Sequence, residues 1–266
     1  MTTNNFSGKN FEIVSRENFI SGIVHYKLKG KLNFKPGQFV QVRLPHIGEA
    51  TFAPCSDPKD QEHFSLCIRS CGSTTNEMVD LLPGGYLEVR GPYGNGWPIR
   101  ELKNKDIVLV SGGLGVVPLR PLIFDLLRTR SSYGRISLFS GFRTQAHLLF
   151  REDFENWSKL LDLNVYTEQK NNDKLCHHGM VTEGIERHKL KIKQTIALIC
   201  GPEVMILPVV NSLLQKGITK EQMFVSLERR MECGIGVCQH CNIGKYLVCK
   251  DGPIFRFDQI EKDLGK

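Results

Sequence analysis

Short segments in which polar and apolar residues alternate occupy the first part of the chain, from residue 9 to about residue 100. Residues 38–44 and 63–69 alternate with a period of two, and residues 86–90 do so after the turn Pro83-Gly84-Gly85. This period is typical of strands that bury one face, and several short strands without a long helical pattern favour an antiparallel barrel. The pattern therefore predicts a small β-barrel in this part of the chain.

From residue 106 the pattern changes to continuous apolar segments, each followed by a helical segment. Residues 107–110 read Ile-Val-Leu-Val, as expected for a strand that is buried on both faces of a parallel sheet. The alternation predicts five strands in a mostly parallel, doubly wound sheet. The strands are predicted at residues 107–110, 135–140, 163–167, 195–200 and 223–227, and the helices at residues 118–127, 146–157 and 203–216.

A glycine-rich turn, Ser111-Gly112-Gly113-Leu114-Gly115, follows the first of these strands and precedes a helix that contains Pro118. The order of strand, glycine turn and helix is the context that a dinucleotide site requires, because glycines let the backbone approach a phosphate. The pattern is G-G-x-G rather than the full G-x-G-x-x-G fingerprint. Ligands of such sheets bind beyond the carboxyl ends of the strands. The other predicted ends contain Gly141, Phe142, Arg143, Thr167, Glu168, Cys200, Gly201 and Pro202.

A second candidate phosphate loop lies in the barrel part, where Gly72, Ser73, Thr74 and Thr75 precede a helix predicted at residues 77–82. Glycine and hydroxyl residues at a helix N-terminus can bind a pyrophosphate through backbone N–H groups and the helix dipole. The same residue types form ordinary N-caps, so the local sequence leaves both interpretations open. Residues 91–98, Gly-Pro-Tyr-Gly-Asn-Gly-Trp-Pro, are predicted to form a hinge and part of a cofactor wall, with a rigid cluster of turns as the alternative.

The cysteines near the C-terminus, Cys233, Cys238, Cys241 and Cys249, have the spacing C-x4-C-x2-C-x7-C. The first three repeat the opening of the plant-type [2Fe–2S] ligand pattern, and nearby glycines let backbone N–H groups approach the sulfurs. A zinc site is the alternative, although zinc sites usually pair their cysteines as C-x2-C hooks, and one such hook occurs here. His240 stands beside a ligand, and we interpret it as a neighbour that tunes the cluster by hydrogen bonding.

The chain of 266 residues is long enough for two compact domains and an appendage, which we place at residues 1–100, 101–226 and 227–266. Its formal net charge of +7 is spread along the sequence without a nucleic-acid motif, which favours an acidic protein partner or a solvated surface over nucleic acid. No apolar segment approaches the roughly 18 residues of a membrane span, and the N-terminus lacks the features of a secretory signal. We therefore expect a cytoplasmic protein whose nine cysteines serve metal or redox chemistry.

The barrel, the G-G-x-G segment and the motif Cys200-Gly201-Pro202-Glu203-Val204-Met205 together resemble the ferredoxin-NADP reductase superfamily. The cysteine pattern, the motif Gly48-Glu49-Ala50 and residues 91–96 and 227–231 narrow the resemblance to electron-transfer subunits with a C-terminal [2Fe–2S] site. This group holds the gamma subunit of NiFe hydrogenase or sulfhydrogenase, the corresponding subunit of anaerobic sulfite reductase and the electron-transfer subunit of dihydroorotate dehydrogenase. The resemblance covers residues 9–260, and the short x7 spacing fits the hydrogenase and sulfite reductase branch.

The resemblance implies FAD in the barrel, a nicotinamide nucleotide at the doubly wound sheet and a [2Fe–2S] cluster at the four cysteines. For FAD it implies Phe52 and Ala53 at the isoalloxazine ring, Cys67, Ile68 and Arg69 along the ribityl and phosphate path, and Gly72, Ser73, Thr74 and Thr75 at the pyrophosphate. For the nucleotide it implies Gly112, Gly113, Gly115 and Pro118 at the phosphates, Arg143, Thr167 and Glu168 near the adenosine, Cys200 near the nicotinamide ring, Gly201 and Pro202 in the same motif, and Met205 in the helix behind it.

The segment Thr51-Phe52-Ala53-Pro54-Cys55-Ser56 departs from the flavin signature of the superfamily, Arg-x-Tyr-Ser/Thr. Ala53 lacks the hydroxyl that normally addresses flavin N5, and Pro54 lacks a backbone N–H donor. Because the pyrophosphate loop is intact, FAD binding is still expected. A non-enzymatic adaptor that has lost FAD is the alternative that this departure raises.

The residues after the third parallel strand bear on the choice of nucleotide. Relatives that use NADP have Ser-Arg at this point, whereas this chain has Thr167-Glu168. A carboxylate there would accept the ribose hydroxyls and repel a 2′-phosphate, while Arg143 and Lys170 would supply positive charge. The resemblance therefore implies NAD(H) in preference to NADP(H).

The function implied is that of an NAD(P)H-dependent flavin and iron–sulfur oxidoreductase of diaphorase type, without a catalytic acid–base residue. Such a subunit passes electrons between NAD(P)H, FAD and the cluster, to or from a partner such as a NiFe hydrogenase or a sulfite reductase. We expect the catalytic and iron–sulfur subunits of a hetero-oligomeric redox complex as partners, steered by Arg229, Arg230, Lys245 and Lys250, which singly are equally well interpreted as solvated charges. The alternatives are a dihydroorotate dehydrogenase electron-transfer subunit, the FAD-free adaptor and a zinc-stabilised interaction module.

Overall fold

The structure, a computed structural model, describes residues 7–20 and 22–264. It divides into two compact units. The first comprises the described residues up to Trp97 together with Arg120–Phe124 and Glu228–Pro253, and the second comprises Pro98–Leu119, Asp125–Leu227 and the described residues from Ile254 onward. Residues 1–6, on which the expected lack of a secretory signal depends, lie outside the described residues, and the domain boundaries proposed above stay a prediction.

The first unit contains a six-stranded antiparallel sheet in the order β4-β3-β6-β1-β2-β5. An antiparallel bridge between Pro54 and Leu66 connects the segment after β4 with β5, so the two ends of the strand order meet as in a barrel. The elements are β1 (Lys9–Asn18), β2 (Ile23–Lys29), β3 (Phe39–Leu44), β4 (Gly48–Phe52), β5 (His63–Arg69), α1 (Ser73–Val79) and β6 (Tyr86–Tyr93).

The core of this barrel consists of the inward positions of its strands, including the wholly buried Ile13, Leu28 and Leu66. The buried Tyr26 donates hydrogen bonds from its hydroxyl to the carbonyl oxygens of Met78 and Leu81, which fastens α1 and the residues after it to the core. Helix α1 begins at Ser73, four residues earlier than predicted, because Gly72 is its N-cap. Strand β6 extends to Tyr93, so the first residues of segment 91–98 belong to a strand.

The second unit contains the predicted doubly wound sheet, and its strands alternate with helices along the chain. These elements are β7 (Asp106–Gly112), α2 (Val116–Arg128), β8 (Ile136–Phe142), α3 (Arg151–Trp157), β9 (Asp162–Thr167), β10 (Cys176–His178), α4 (Val181–Arg187), β11 (Thr195–Cys200), α5 (Glu203–Gln215) and β12 (Met223–Ser226). Within residues 7–20 and 22–264, no helix has the combination of length and apolar composition that a membrane crossing requires.

The C-terminal part contributes to both units. The first unit receives the short hairpin β13 (Asn242–Ile243) and β14 (Tyr246–Leu247) and the helical turn α6 (Val248–Asp251), and the second receives β15 (Ile254–Arg256) and α7 (Phe257–Ile260). The large sheet has the order β10-β9-β8-β7-β11-β12-β15, in which β15 pairs antiparallel with β12.

The prediction of five strands in this sheet was therefore wrong, since seven are present. The two additional strands, β10 and β15, lie at opposite edges and contain three residues each. Strand β10 reads Cys-His-His and is half-buried to exposed, so it lacks the apolar signal of a strand inside the sheet. The fold class itself, an antiparallel barrel and a doubly wound, mostly parallel sheet, is confirmed.

Candidate cofactor sites

The four C-terminal cysteines come from one irregular loop and the helical turn that follows the β13–β14 hairpin. Cys241 and Cys249 are buried, at 1% and 2% exposure, whereas Cys233 and Cys238 are half-buried. The loop reverses direction at Gly234 and Gly236, whose φ angles are +73° and +80°. Only glycine adopts this conformation at little cost, so the sequence Cys-Gly-Ile-Gly-Val-Cys favours the local turn.

Backbone N–H groups of this loop are directed at the cysteine sulfurs. Cys233 Sγ accepts from the N–H groups of Ile235, Val237 and Cys238 at 3.3–3.5 Å. Cys249 Sγ accepts from Gly236 at 3.1 Å, and Cys241 Sγ accepts from Cys249 at 3.4 Å. Such donors stabilise negative charge on sulfur, which is what an iron–sulfur cluster needs from its surroundings.

The thiol of Cys238 receives the same kind of support. Hydrogen bonds from the backbone N–H groups of Cys233 and His240 hold its pKa below the ordinary value of a thiol. Ligand thiols must be deprotonated, so a loop that favours the thiolate suits metal binding. Four thiols with inward N–H donors fit a [2Fe–2S] cluster, and the four cysteines would hold it.

An acidic and a basic side chain lie at the rim of this loop. His240 Nδ1 lies 2.9 Å from an oxygen of Glu232, and these two side chains together with Cys238 bring their ligand atoms within 4.8 Å of one another. Both Glu232 and His240 are exposed. The predicted neighbour of the cluster, His240, thus pairs with a carboxylate, and the ligand atoms of Glu232, Cys238 and His240 lie close enough together to hold a metal ion.

A buried arginine connects the barrel to the cysteine loop, within the same unit. Arg90, inside β6, is 7% exposed and forms a two-pronged ion pair with Glu49 of β4. Its Nη1 donates to the carbonyl oxygen of Cys233 at 2.7 Å, and its Nη2 donates to that of Glu232 at 3.3 Å. The Tyr93 hydroxyl is a further partner of Nη1, at 3.3 Å. One guanidinium therefore fixes the position of the first cluster cysteine.

Sequence reasoning missed this arginine as a functional residue. Residues 86–90 were interpreted as a strand with an exposed polar face, and Arg90 stands at the last polar position. The sequence feature that could have indicated Arg90 is its position directly before residues 91–98, the segment predicted to form part of a cofactor wall. That segment also contacts the cysteine region, because Asn95 N–H donates to the Gly252 carbonyl oxygen at 2.8 Å.

The predicted pyrophosphate loop forms the N-terminus of α1. The Thr75 hydroxyl accepts the N–H of Cys71 at 2.9 Å and donates to the Gly72 carbonyl oxygen at 3.1 Å, which orders the turn. Thr74 lies against β4, because a Cβ atom at Gly48 would lie 2.4 Å from the Thr74 hydroxyl oxygen. A Cβ at Gly72 would have no neighbour within 4 Å among the described residues. The turn thus packs against β4 through Thr74, while the space beside Gly72 is open, and this arrangement fits a bound phosphate.

The other residues predicted for FAD lie in the same barrel but differ in exposure. Phe52 ends β4, is half-buried and packs against the barrel core, with Ala53 next to it. In β5, Cys67 is 7% exposed, Ile68 lies wholly in the core and Arg69 is exposed. Ile68 can therefore face a ligand only with its backbone, whereas the exposed Arg69 side chain is accessible to one.

A thiol and an imidazole that the sequence did not single out lie next to Cys67. Cys55 Sγ is 3.9 Å from Cys67 Sγ, and His25 pairs with Cys67 across β2 and β5. Burial alone would raise the pKa of Cys55, but hydrogen bonds from Cys67 and His25 and the charge of Arg120 lower it to about 5. For His25, burial alone would lower the pKa. The hydrogen bond and the charge of Cys55 outweigh burial, so the pKa of His25 is raised. The surroundings of Cys55 therefore favour its thiolate form.

In the second unit, the glycine turn and the Cys-Gly-Pro motif meet at the carboxyl ends of β7 and β11. A Cβ at Gly115 would lie 2.1 Å from the carbonyl oxygen of Cys200, and a Cβ at Gly112 would lie 2.4 Å from Met205 Sδ. Gly201 is also confined, since its Cβ would be 2.7 Å from Met205 Cε. These glycines are thus required for packing of the two strand ends.

Gly113 differs from the other glycines of this turn. It has a φ of +51°, and a Cβ there would have open space, with no described atom within 4 Å. Pro118 lies in the first turn of α2, and Pro202 is the N-cap of α5, where its carbonyl oxygen accepts the N–H of Met205 at 2.8 Å. A backbone that is bare at Gly113 and precedes a helix fits the phosphates of a dinucleotide.

The adenosine-side residues lie at the ends of the adjacent strands β8 and β9. Arg143 and Glu168 are exposed, and Glu168 N–H donates to the Phe142 carbonyl oxygen at 3.1 Å. Thr167 is wholly buried, and its hydroxyl donates to the Gln169 carbonyl oxygen at 2.9 Å. Thr167 therefore shapes the loop, while Arg143 and Glu168 remain available to a ligand.

Three protein families match consecutive parts of the chain. The oxidoreductase FAD-binding domain family matches residues 11–97, and the oxidoreductase NAD-binding domain family matches residues 109–210. The iron–sulfur cluster binding domain of dihydroorotate dehydrogenase B matches residues 228–261. The cofactors predicted from the sequence are thereby confirmed as FAD, NAD(H) and a [2Fe–2S] cluster.

Relatives of known name match nearly the whole chain. Sulfhydrogenase 1 subunit gamma of Pyrococcus furiosus is 39% identical over 250 residues, which cover 90% of this chain and 85% of that protein. Sulfhydrogenase 2 subunit gamma of the same organism is 34% identical and covers 92% and 91%. A probable dihydroorotate dehydrogenase B (NAD(+)) electron transfer subunit of Pyrococcus abyssi is 34% identical and covers 91% and 87%.

Solved structures show the same fold. The NADH-dependent reduced ferredoxin-NADP oxidoreductase, described for flavin-based electron bifurcation, superposes with a TM-score of 0.77 at 24% identity and covers 96% of this chain and 92% of that chain. The cytochrome b5 reductase domain of Ulva prolifera nitrate reductase gives a TM-score of 0.70 at 18% identity and covers 84% and 97%. The chain therefore belongs to the family of FAD-, NAD- and iron–sulfur-binding electron-transfer subunits that includes sulfhydrogenase subunit gamma and the dihydroorotate dehydrogenase B electron-transfer subunit.

Proposed function

We propose that this chain passes electrons between NADH and the iron–sulfur subunits of a NiFe-hydrogenase-type complex, through FAD and its own [2Fe–2S] cluster. The observation that carries this proposal is the loop of Cys233, Cys238, Cys241 and Cys249, in which backbone N–H groups are directed at the sulfurs. The identity of 39% to a sulfhydrogenase gamma subunit, against 34% to a dihydroorotate dehydrogenase subunit, supports the hydrogenase-type partner.

FAD, when bound, exchanges electrons both in pairs and singly, so it can connect a hydride donor with a one-electron cluster. We assign its pyrophosphate to Gly72, Ser73, Thr74 and Thr75, where the turn is held by the Thr75 hydroxyl and open in front of Gly72. Phe52 and Ala53 would line the isoalloxazine ring, and Cys67, Ile68 and Arg69 would line the ribityl and phosphate path.

NADH would bind at the carboxyl edge of the large sheet. Gly112, Gly113, Gly115 and Pro118 would hold its phosphates, and Cys200 with Gly201, Pro202 and Met205 would form the wall near the nicotinamide. The exposed Glu168 would accept the ribose hydroxyls of the adenosine and disfavour the 2′-phosphate of NADPH, with Thr167 holding the loop and Arg143 beside it.

The partner would dock at the rim of the cysteine loop. Val237, between two cluster cysteines, is 68% exposed, which is unusual for a large apolar side chain and favours a protein contact. Arg230, Lys245 and Lys250 are exposed around it, Arg229 is half-exposed, and an acidic partner would be attracted to them. A cytoplasmic location remains part of the proposal.

Anaerobic purification followed by a visible spectrum, before and after NADH, tests the relay. We expect flavin and cluster bands that bleach together, and iron, sulfide and flavin in the preparation. Cys238→Ser should remove the cluster bands but leave flavin bands that NADH bleaches, whereas Cys176→Ser, outside the loop, should behave as the wild type. A preparation that contains zinc without iron and sulfide, or a colourless one, would contradict the proposed function.

The family match at residues 228–261 favours one second candidate, the electron-transfer subunit of a dihydroorotate dehydrogenase. In that case the partner would be an FMN-containing subunit instead of a hydrogenase-type complex. Isolation of the native complex decides between them, because nickel in the complex supports the first candidate and FMN with dihydroorotate oxidation supports the second.

A further inference from the structure

Gln41 is a buried polar residue whose side chain lacks hydrogen-bond partners in the described part of the chain. It lies in the middle of β3, is 1% exposed, and neither Nε2 nor Oε1 has a hydrogen-bond partner among the described residues. An unpaired buried polar group costs about 1–3 kcal/mol, and native proteins contain few of them. The carboxamide therefore calls for a partner that residues 7–20 and 22–264 do not supply.

The position of Gln41 indicates where that partner lies. Its cross-strand neighbours are Thr51 of β4 and Arg90 of β6, so the three residues form one row across the sheet. Arg90 binds the carbonyl oxygens of Glu232 and Cys233 at one end of this row. The row therefore runs from Thr51, which begins the segment expected to contact the flavin, to Arg90, which binds the carbonyl oxygen of the first cluster cysteine.

The carboxamide also lies beside Gly234 of the cysteine loop. A Cβ atom at Gly234 would lie 3.0 Å from Gln41 Cγ and 3.1 Å from Gln41 Nε2. Gly234 follows Cys233 and is itself buried, so the Gln41 side chain packs beside the loop whose N–H groups are directed at the cysteine sulfurs. A side chain at residue 234 would fill the space that the carboxamide occupies.

We propose, on the basis of the proposed function, that Gln41 is a cluster-binding residue supplied by the barrel, whose carboxamide N–H would donate a hydrogen bond to sulfide of the bound [2Fe–2S] cluster. Sulfur accepts such a donor more strongly as the site gains negative charge on reduction. Gln41 therefore raises the midpoint potential of the cluster, in addition to the backbone donors of the loop.

The test compares the wild type with Gln41→Met, which keeps the length of the side chain and removes the amide. We expect Gln41→Met to retain iron and sulfide, to shift the midpoint potential of the cluster to more negative values in a redox titration, and to change the EPR spectrum of the reduced cluster. Gln41→Asn, which withdraws the amide from the loop, should shift both readouts in the same direction and decides the matter if the Met variant does not fold.

Thr51→Val is the matched control, because Thr51 lies on the same row and its buried hydroxyl oxygen also lacks a partner among the described residues. It should leave the potential and the EPR spectrum of the cluster unchanged. The proposal is overturned if Gln41→Met leaves both readouts at their wild-type values, if Thr51→Val shifts them equally, or if only the flavin potential moves. A wild type without iron and sulfide would instead contradict the proposed function itself.

Discussion

Arg90 donates a hydrogen bond to the carbonyl oxygen of Cys233 across 2.7 Å, although the two residues are 143 positions apart in the sequence. The guanidinium is held in place by the carboxylate of Glu49, so its orientation is fixed from the barrel side. The cysteine loop has little regular structure of its own, and a charged donor on a rigid strand supplies the order that the loop lacks.

Arg90→Ala should destabilise the protein and impair cluster retention. The change leaves the Glu49 carboxylate and two carbonyl oxygens of the loop without their donor, and removal of one partner of a buried pair costs about 3 kcal/mol. We expect a lower unfolding midpoint in urea and a lower content of iron and sulfide. Arg43→Ala is the control, because the Arg43 side chain is 50% exposed in its ion pair with Glu88, and such pairs contribute about 0–1 kcal/mol. Equal effects of the two changes would contradict the role given to Arg90.

The periodicity of the sequence predicted most of the strands inside the two sheets. Residues 63–69 and 195–200 are strands with the predicted bounds, because apolar residues recur there with the period or continuity that a buried strand requires. The edge strand β10 was missed because it buries little and has no apolar pattern. Strand β15 buries Ile254 and Phe255 but was missed because three residues are too few to show a period. The fold class could thus be predicted, but the extent of the large sheet could not.

The residues that surround the four cysteines were harder to predict than the cysteines themselves. The cysteine spacing alone indicated the metal site, whereas the alternation in residues 38–44 and 86–90 did not single out Gln41 or Arg90. A period of two shows which residues share a face of a strand, but it does not show what covers that face. Here the Glu228–Pro253 segment, far away in the sequence, covers it and buries both side chains. The individual roles of the predicted site residues stay a prediction.

Glu168→Gln should weaken the preference for NADH over NADPH. The exposed carboxylate would repel a 2′-phosphate, and loss of about 1–2 kcal/mol of repulsion raises relative NADPH affinity roughly tenfold. The measurement is the ratio of Kd values for the two nucleotides by flavin-reduction or fluorescence titration. Glu152→Gln, at an exposed position of α3, serves as the control and should leave the ratio unchanged. An unchanged ratio in Glu168→Gln would remove this residue from nucleotide selection.

Cys55→Ser should destabilise the protein more at neutral than at acidic pH. The pKa of Cys55 is lowered to about 5 in the folded protein, from an ordinary value of 9.0. A lowered pKa stabilises the fold at high pH, and this contribution is lost as the pH falls through about 5. The raised pKa of His25 acts oppositely, since its contribution is complete below 6.5 and is lost as the pH rises.

The difference in free energy of unfolding between wild type and Cys55→Ser should therefore shrink between about pH 6.5 and about pH 4.5, where the His25 contribution is already complete. Chemical denaturation at several pH values measures it. Cys71→Ser, an exposed cysteine of the same unit, should show a small difference that does not vary in this interval. A Cys55→Ser difference that stays constant or grows toward acidic pH would refute a thiolate at this position.

Gly115→Ala and Gly113→Ala should separate packing from conformation in the nucleotide turn. A Cβ at Gly115 would lie 2.1 Å from the Cys200 carbonyl oxygen, so the turn must move away from β11, at a cost of about 3 kcal/mol or more. A Cβ at Gly113 meets open space, and only its φ of +51° opposes the change, at about 1 kcal/mol. We expect a large fall in thermal stability for Gly115→Ala and a small one for Gly113→Ala.

NADH affinity should fall in both, because the Gly115 change displaces the turn and a methyl group at Gly113 covers the backbone proposed to face the phosphates. If Gly113→Ala binds NADH as the wild type does, the phosphates do not approach this glycine, and the nucleotide must be held by other residues of the sheet edge.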